Sequence, residues 1–222
     1  MASWLIENYT EKNAWYTFTK GFSDSDTEKS RPHKLIDELL VSFYNENLST
    51  SYSQLTSRGL DYNSFAIKNI DGIFGDNDDF RKKLLSVVDV DTKVSLKYQE
   101  RSGTTSIISM ENKLLPVMRL SELYFIKIEY LARNGKTAEA VDLLNKFRVE
   151  RGCFGNKIDA DADMNTVLAA LDSEVWRDYV AEGQYFFYCK KNNAATINNN
   201  GVYVDMNGKY TMVIPDSEIS LN

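Results

Sequence analysis

The strongest constraint in this sequence is residues 115–152, LPVMRLSELYFIKIEYLARNGKTAEAVDLLNKFRVERG. Leu120, Leu123, Tyr124, Ile128 and Leu131 recur at helical spacing, and Ala140, Val141, Leu144 and Phe147 do the same in the second half. Pro116 opens the stretch. Gly135 divides it where a helix C′ position needs left-handed backbone. Thr137 is read as the cap of the second helix, with Glu139 in its electropositive first turn. Two antiparallel helices joined by so short a turn cannot bury both apolar faces against each other. They need helical neighbours on the outer side, as the units of repeat proteins do.

The flanking sequence supplies candidates. Leu35, Ile36, Leu39, Leu40 and Phe43 predict an amphipathic helix over 31–47, with Ser30 as cap and Pro32 in the first turn. Residues 80–88 read as a short helix, 94–98 as an extended segment, and 101–110 as a Ser/Thr-rich loop. Residues 4–22 fit either a strand or an extended loop, and 48–74 loops with short helical turns. Val167, Leu168, Leu171, Val175, Tyr179 and Val180 predict a helix over 165–182, approached by Asp159, Asp161 and Asp163. Gly183 interrupts it before a further helix over 185–191. Asn207-Gly208 predicts a turn between strands at 202–205 and 210–214, since both residues tolerate positive φ.

Composition removes several kinds of chemistry. A formal charge of −6 disfavours non-specific nucleic-acid binding. No apolar run reaches the ~18 residues of a membrane helix, and residues 1–7 do not resemble a signal peptide. One histidine, His33, and two cysteines, Cys153 and Cys189, leave too few soft ligands for structural zinc. Sequence does not decide whether the cysteines pair, and buried free thiols are the expectation. Asp24 and Asp26 read as solvated loop, and 159–170 lacks the Gly and terminal Glu of a calcium loop. No cofactor or metal is expected. No nucleophile elbow, phosphate loop or dinucleotide fingerprint appears. Glu174 and Asp178, one helical turn apart, read as structural residues, a salt-bridge or helix-facing pair.

The order of blocks carries a resemblance. Arg119, Leu120, Glu122, Glu129, Ala140, Leu143, Leu144, Asn145, Arg148 and Arg151 are followed by Glu174, Glu182 and Gly183, then by Pro215, Glu218 and Asn222. In this order they resemble the C-terminal region of the SusD/RagB family of outer-membrane nutrient-binding lipoproteins. The match covers residues 114–222. Asp79-Phe80-Arg81 and the Lys97-Tyr98 pair are fainter upstream parallels. Tyr185 and Tyr188 stand where Arg and Asp are common, which implies altered packing around that helix. The resemblance implies a mainly α fold of tetratricopeptide-like hairpins with long irregular loops and a small C-terminal β-hairpin. Residues 1–222 would form a single domain, the C-terminal part of a longer architecture.

What the resemblance implies for function is non-enzymatic capture of oligosaccharides or other nutrients at the outer-membrane surface. The captured ligand would pass to a TonB-dependent transporter. Membrane association would run only through a lipid anchor that this chain does not carry. Aromatic faces stack on the apolar faces of sugars, so the loop aromatics Trp15, Tyr16, Tyr52 and Tyr62 are the candidate ligand residues. A helical-repeat scaffold that binds a protein, with no glycan ligand, is the alternative reading. A glycan-active enzyme is a third, but no carboxylate pair stands in a recognisable catalytic context.

Overall fold

The computed structural model describes residues 1–11, 18, 35–48, 50–51, 67, 69–76, 78–89, 92–99, 105–199 and 202–211. Its centre is the expected hairpin. Helix α4 (Leu120–Arg133) and helix α5 (Thr137–Glu150) pack together, and helix α6 (Met164–Asp178) lies against both. Short α1 (Ala2–Ile6) covers the outer face of α4. One-turn α2 (Ile70–Ile73), α3 (Ser106–Glu111) and α7 (Gln184–Lys191) complete the helices named here. Ile128, Leu144, Phe147, Val167, Leu171 and Val175 are fully buried in the shared core. Phe147 sits amid rings, with Phe125 at 4.9 Å and Phe18 at 5.6 Å, both edge-on, the favoured aromatic geometry.

Helix ends follow backbone chemistry. Gly135 is at φ +75. Its N–H donates to the Ala132 carbonyl at 3.3 Å, and Lys136 N–H donates to Leu131 at 2.9 Å. That is a Schellman ending, which satisfies carbonyls the helix leaves open. Gly152, at φ +80, closes α5 the same way. At the start of α6, Asp163 Oδ1 accepts from Thr166 N–H at 2.7 Å. The acidic approach to this helix is therefore a working N-cap. Thr137 is the first helical residue and caps nothing; Lys136 holds the cap position without a side-chain bond.

Three small antiparallel ribbons flank the helices. Strand β1 (Leu39–Tyr44) pairs with β4 (Leu114–Arg119), with Ser42 opposite Pro116 and Leu39 opposite Arg119. Strand β2 (Leu85–Asp89) pairs with β3 (Thr92–Ser95), and β5 (Thr196–Asn199) with β6 (Val202–Asp205).

These ribbons correct several expectations. The helix predicted over 31–47 is a 3-10 turn, Ile36–Glu38, followed by a strand. Leu35 is left-handed at φ 50, and LLVSFY satisfies a strand as well as a helix. Pro116 lies in β4 rather than opening α4, a position open to proline because a two-stranded ribbon has only edge strands. The segment at 80–88 is helical only as a 3-10 turn, Phe80–Leu84, before its β-branched residues turn extended. Within the predicted loop at 101–110, Thr105 Oγ1 accepts from Ile108 N–H and starts α3. Near the N-terminus Ala2–Ile6 is helix and Glu7–Glu11 a π turn, neither strand nor loop. The C-terminal hairpin exists, but its strands are 196–199 and 202–205. Asn207-Gly208 forms a separate turn, with Gly208 at φ +71. The expected partner strand and the Pro215 tail lie mostly outside the described residues.

Candidate functional site

Beneath the hairpin lies a cluster of buried charges. Glu38, Asp79, Arg81, Lys97, Arg119, Arg148, Arg151, Glu174 and Asp178 are all buried. Arg151 donates two bonds to Glu38, at 2.5 and 2.7 Å, and one from Nε to Asp178 at 2.8 Å. Glu174 accepts from Arg81 at 2.7 Å, from Arg177 at 2.7 Å and from Arg148. Arg119 pairs with Asp178 at 2.8 Å and with Glu182 at 2.9 Å, while Lys97 also bonds Glu182. Burial alone would raise the Asp178 carboxyl. Arg119, Arg151, Arg81 and Lys97 overcome it and hold the group far below the usual carboxylate range. Glu174 is lowered in the same manner, with Arg81 opposing its burial most strongly. Burial lowers Lys97, against the pull of Glu182.

This cluster explains the order of the sequence blocks. Arg119, Arg148, Arg151, Glu174 and Glu182 stand in separate sequence blocks, with Asp79-Phe80-Arg81 and Lys97 further upstream. The fold gathers all of them into one ion network. Its carboxylates are paired with arginine and lysine and closed to solvent, so the network is an internal brace. Glu174 and Asp178 are salt-bridging residues, as their spacing indicates.

A ligand-accessible feature lies beside it. Helices α4 and α7 form the walls of an open cleft of about 240 Å³. Glu122, Ile126 and Glu129 project from one side, Gln184, Phe187 and Lys191 from the other, and Tyr179 and Phe125 form part of the lining. Phe187 is 63% exposed. Glu129 is bonded by Arg133 at 3.0 Å and by Lys191 at 2.5 Å. Among the described residues Glu122 makes no salt bridge or hydrogen bond, and partial burial raises its carboxyl against the weaker pull of Arg119 and Lys191. The buried Tyr179 hydroxyl has no hydrogen-bond partner among the described residues. Tyr185 and Tyr188 stack at 6.3 Å and 17°, and Tyr185 reaches Asp172 at 3.2 Å. An aromatic stack thus stands where the resembled family commonly has Arg and Asp.

The four aromatics chosen from sequence, Trp15, Tyr16, Tyr52 and Tyr62, lie outside the described residues, as do His33, Asp24 and Asp26. The cleft residues were missed as a set, although their spacing was visible. Glu122, Ile126 and Glu129 recur at i, i+4 and i+7, and Gln184, Phe187 and Lys191 at i, i+3 and i+7, each on one helix face. Among the described residues no group of His, Cys, Asp and Glu is arranged to hold a metal. Cys153 and Cys189 are free and buried. No described helix is long and apolar enough to cross a membrane.

A helical hairpin braced by a third helix and by buried ion pairs defines a tetratricopeptide-like class of fold. Comparison with solved structures narrows it to the SusD type. A SusD superfamily protein from Bacteroides thetaiotaomicron superimposes with a TM-score of 0.62 at 17% identity, over 86% of this chain and 44% of its own. A protein from Bacteroides vulgatus described as sugar binding gives 0.57 at 25% identity, over 83% and 44%. A SusD-like carbohydrate binding protein from the same species gives 0.56 at 16% identity, over 88% and 41%. The chain therefore has the SusD fold and spans less than half the length of each of these relatives. No family model matches the sequence, and no curated protein matches it.

Proposed function

We propose that this chain belongs to a protein that binds oligosaccharides without cleaving them, at the outer-membrane surface, and passes them to a TonB-dependent transporter. The observation that carries the reading is the cleft. It sets an exposed aromatic ring beside a carboxylate that bonds none of the described residues, on a fold shared with proteins described as sugar or carbohydrate binding. An aromatic face and adjacent polar groups match the two kinds of surface a sugar presents. On this reading residues 1–222 form one domain that corresponds to part of a longer architecture, held at the membrane by a lipid anchor. Trp15, Tyr16, Tyr52 and Tyr62 are further candidate contacts.

A glycan array followed by calorimetry tests the proposal. The expected result is saturable binding to at least one oligosaccharide, recovered with unchanged mass. A shortened product would replace the reading with an enzyme. A blank array, together with specific capture of a protein partner, would replace it with a scaffold. Alanine at Trp15, Tyr16, Tyr52 or Tyr62 that leaves both fold and binding intact removes that residue from the candidates.

A further inference from the structure

We infer that the cleft between α4 and α7 takes a single pyranose unit without a carboxylate, stacked on Phe187 and hydrogen-bonded by Glu122. This inference rests on the carbohydrate-binding reading and specifies its site and ligand class.

Size comes first. Pockets that enclose drug-sized ligands run to roughly 300–1,000 Å³. An open cleft of about 240 Å³ therefore suits one ring, with the rest of a chain outside. The lining then sets the chemistry. Phe187 is 63% exposed and offers an apolar face. A purely apolar ligand fits poorly, because it would cover Glu122 without giving it a donor. Sugar hydroxyls supply donors.

Charge sets the exclusion. Arg133 and Lys191 already compensate Glu129. Glu122 makes no salt bridge among the described residues, and the weaker pull of Arg119 and Lys191 does not offset its burial. A uronic acid would bring a second carboxylate towards it, and like charges at a partly buried site repel. A neutral ring avoids this.

The test is an NMR titration of the intact chain with methyl glycosides of glucose, galactose and mannose and with their uronic acid counterparts. At least one neutral glycoside is expected to shift the backbone amides of residues 120–133 and 184–191. Its uronic acid should bind at least threefold more weakly. Phe187→Ala should weaken the neutral ligand about tenfold, and Glu122→Gln should narrow the neutral-to-uronate preference. Both residues have solvent-facing surface, and amide spectra of the free variants check that they fold. Binding that shifts other residues and leaves these two helices unmoved overturns the cleft assignment while carbohydrate binding stands. A uronic acid that binds as well as its neutral partner overturns the charge argument. No response to any glycoside here, combined with a blank glycan array, overturns the carbohydrate reading itself.

Discussion

Replacing Glu174 by Gln tests the buried ion network at a carboxylate shared by three arginines. Glu174 is fully buried and bonded by Arg81, Arg148 and Arg177. Glutamine keeps the shape and one acceptor but removes the charge. Arg81 retains Asp79, with contacts at 2.7 and 2.9 Å, and Arg177 keeps the Ile73 carbonyl. Arg148 loses its charged partner and keeps the Asn156 carbonyl at 3.3 Å. Removing one partner of a buried pair costs about 3–5 kcal/mol, because the remaining charge stays desolvated. For a chain of this size that lowers Tm by roughly 6–20 °C. An exposed pair gives the contrast. Lys136 and Glu139 stand 3.1 Å apart in solvent, and Glu139→Gln should change stability by less than about 0.5 kcal/mol. Urea unfolding followed by far-ultraviolet circular dichroism measures both. If Glu174→Gln loses no more than Glu139→Gln, the network does not hold the helices in place and the reasoning fails.

The remaining predictions concern separate parts of the fold. The folded-state values of Glu174 and Asp178 lie below their ordinary 4.5 and 3.8. Their stabilisation is therefore complete above about pH 4.5 and is lost as pH falls toward the folded values. Urea midpoints that hold steady from neutral pH to 5 and drop below 4 would agree; equal loss across the whole range would not. At Gly152 an added Cβ would stand 2.6 Å from the Asp78 carbonyl oxygen at φ +80. Gly152→Ala should therefore destabilise by more than ~2 kcal/mol, strain and clash together. Gly135→Ala meets open space and should cost only ~1 kcal/mol of left-handed strain; calorimetric scans separate the two. Burial pushes the Cys153 thiol up to about 12 and also raises Cys189. Neither should react promptly with a thiol reagent until urea unfolds the chain, because the thiolate is the reactive form.

Periodicity made the helical centre legible, and its glycines made the helix ends legible. Gly135, Gly152 and Gly183 each mark a boundary because each sits at positive φ. Strand β1 was not legible in the same way. Leu39, Leu40 and Phe43 satisfy both the helical and the strand period, and the choice is made by a partner strand more than seventy residues away. Glu38 adds a second long-range tie through Arg151. Local pattern carries no information about either contact. The ion network was visible only as scattered motif residues, apart from the Glu174–Asp178 spacing that lies within one helix. The cleft was harder still, because its walls come from helices some sixty residues apart.

That separation gives the network its bearing on binding. Helix α4 begins immediately after Arg119, and α7 begins two residues after Glu182. Arg119 and Glu182 bond each other at 2.9 and 3.1 Å, so the two cleft walls start from one ion pair. The Arg119 guanidinium also sits 5.2 Å over the ring of Tyr179, which lies in the cleft lining. A cleft held this way loses little ordering entropy on taking a ligand. Glu182 does not line the cleft. Glu182→Gln should still weaken glycan binding several-fold, through a looser angle between α4 and α7, although Phe187 and Glu122 are themselves unaltered. Calorimetric titration of this variant beside Phe187→Ala measures the effect. Affinity unchanged in a folded Glu182→Gln protein would show that the cleft keeps its shape without the charges beneath it.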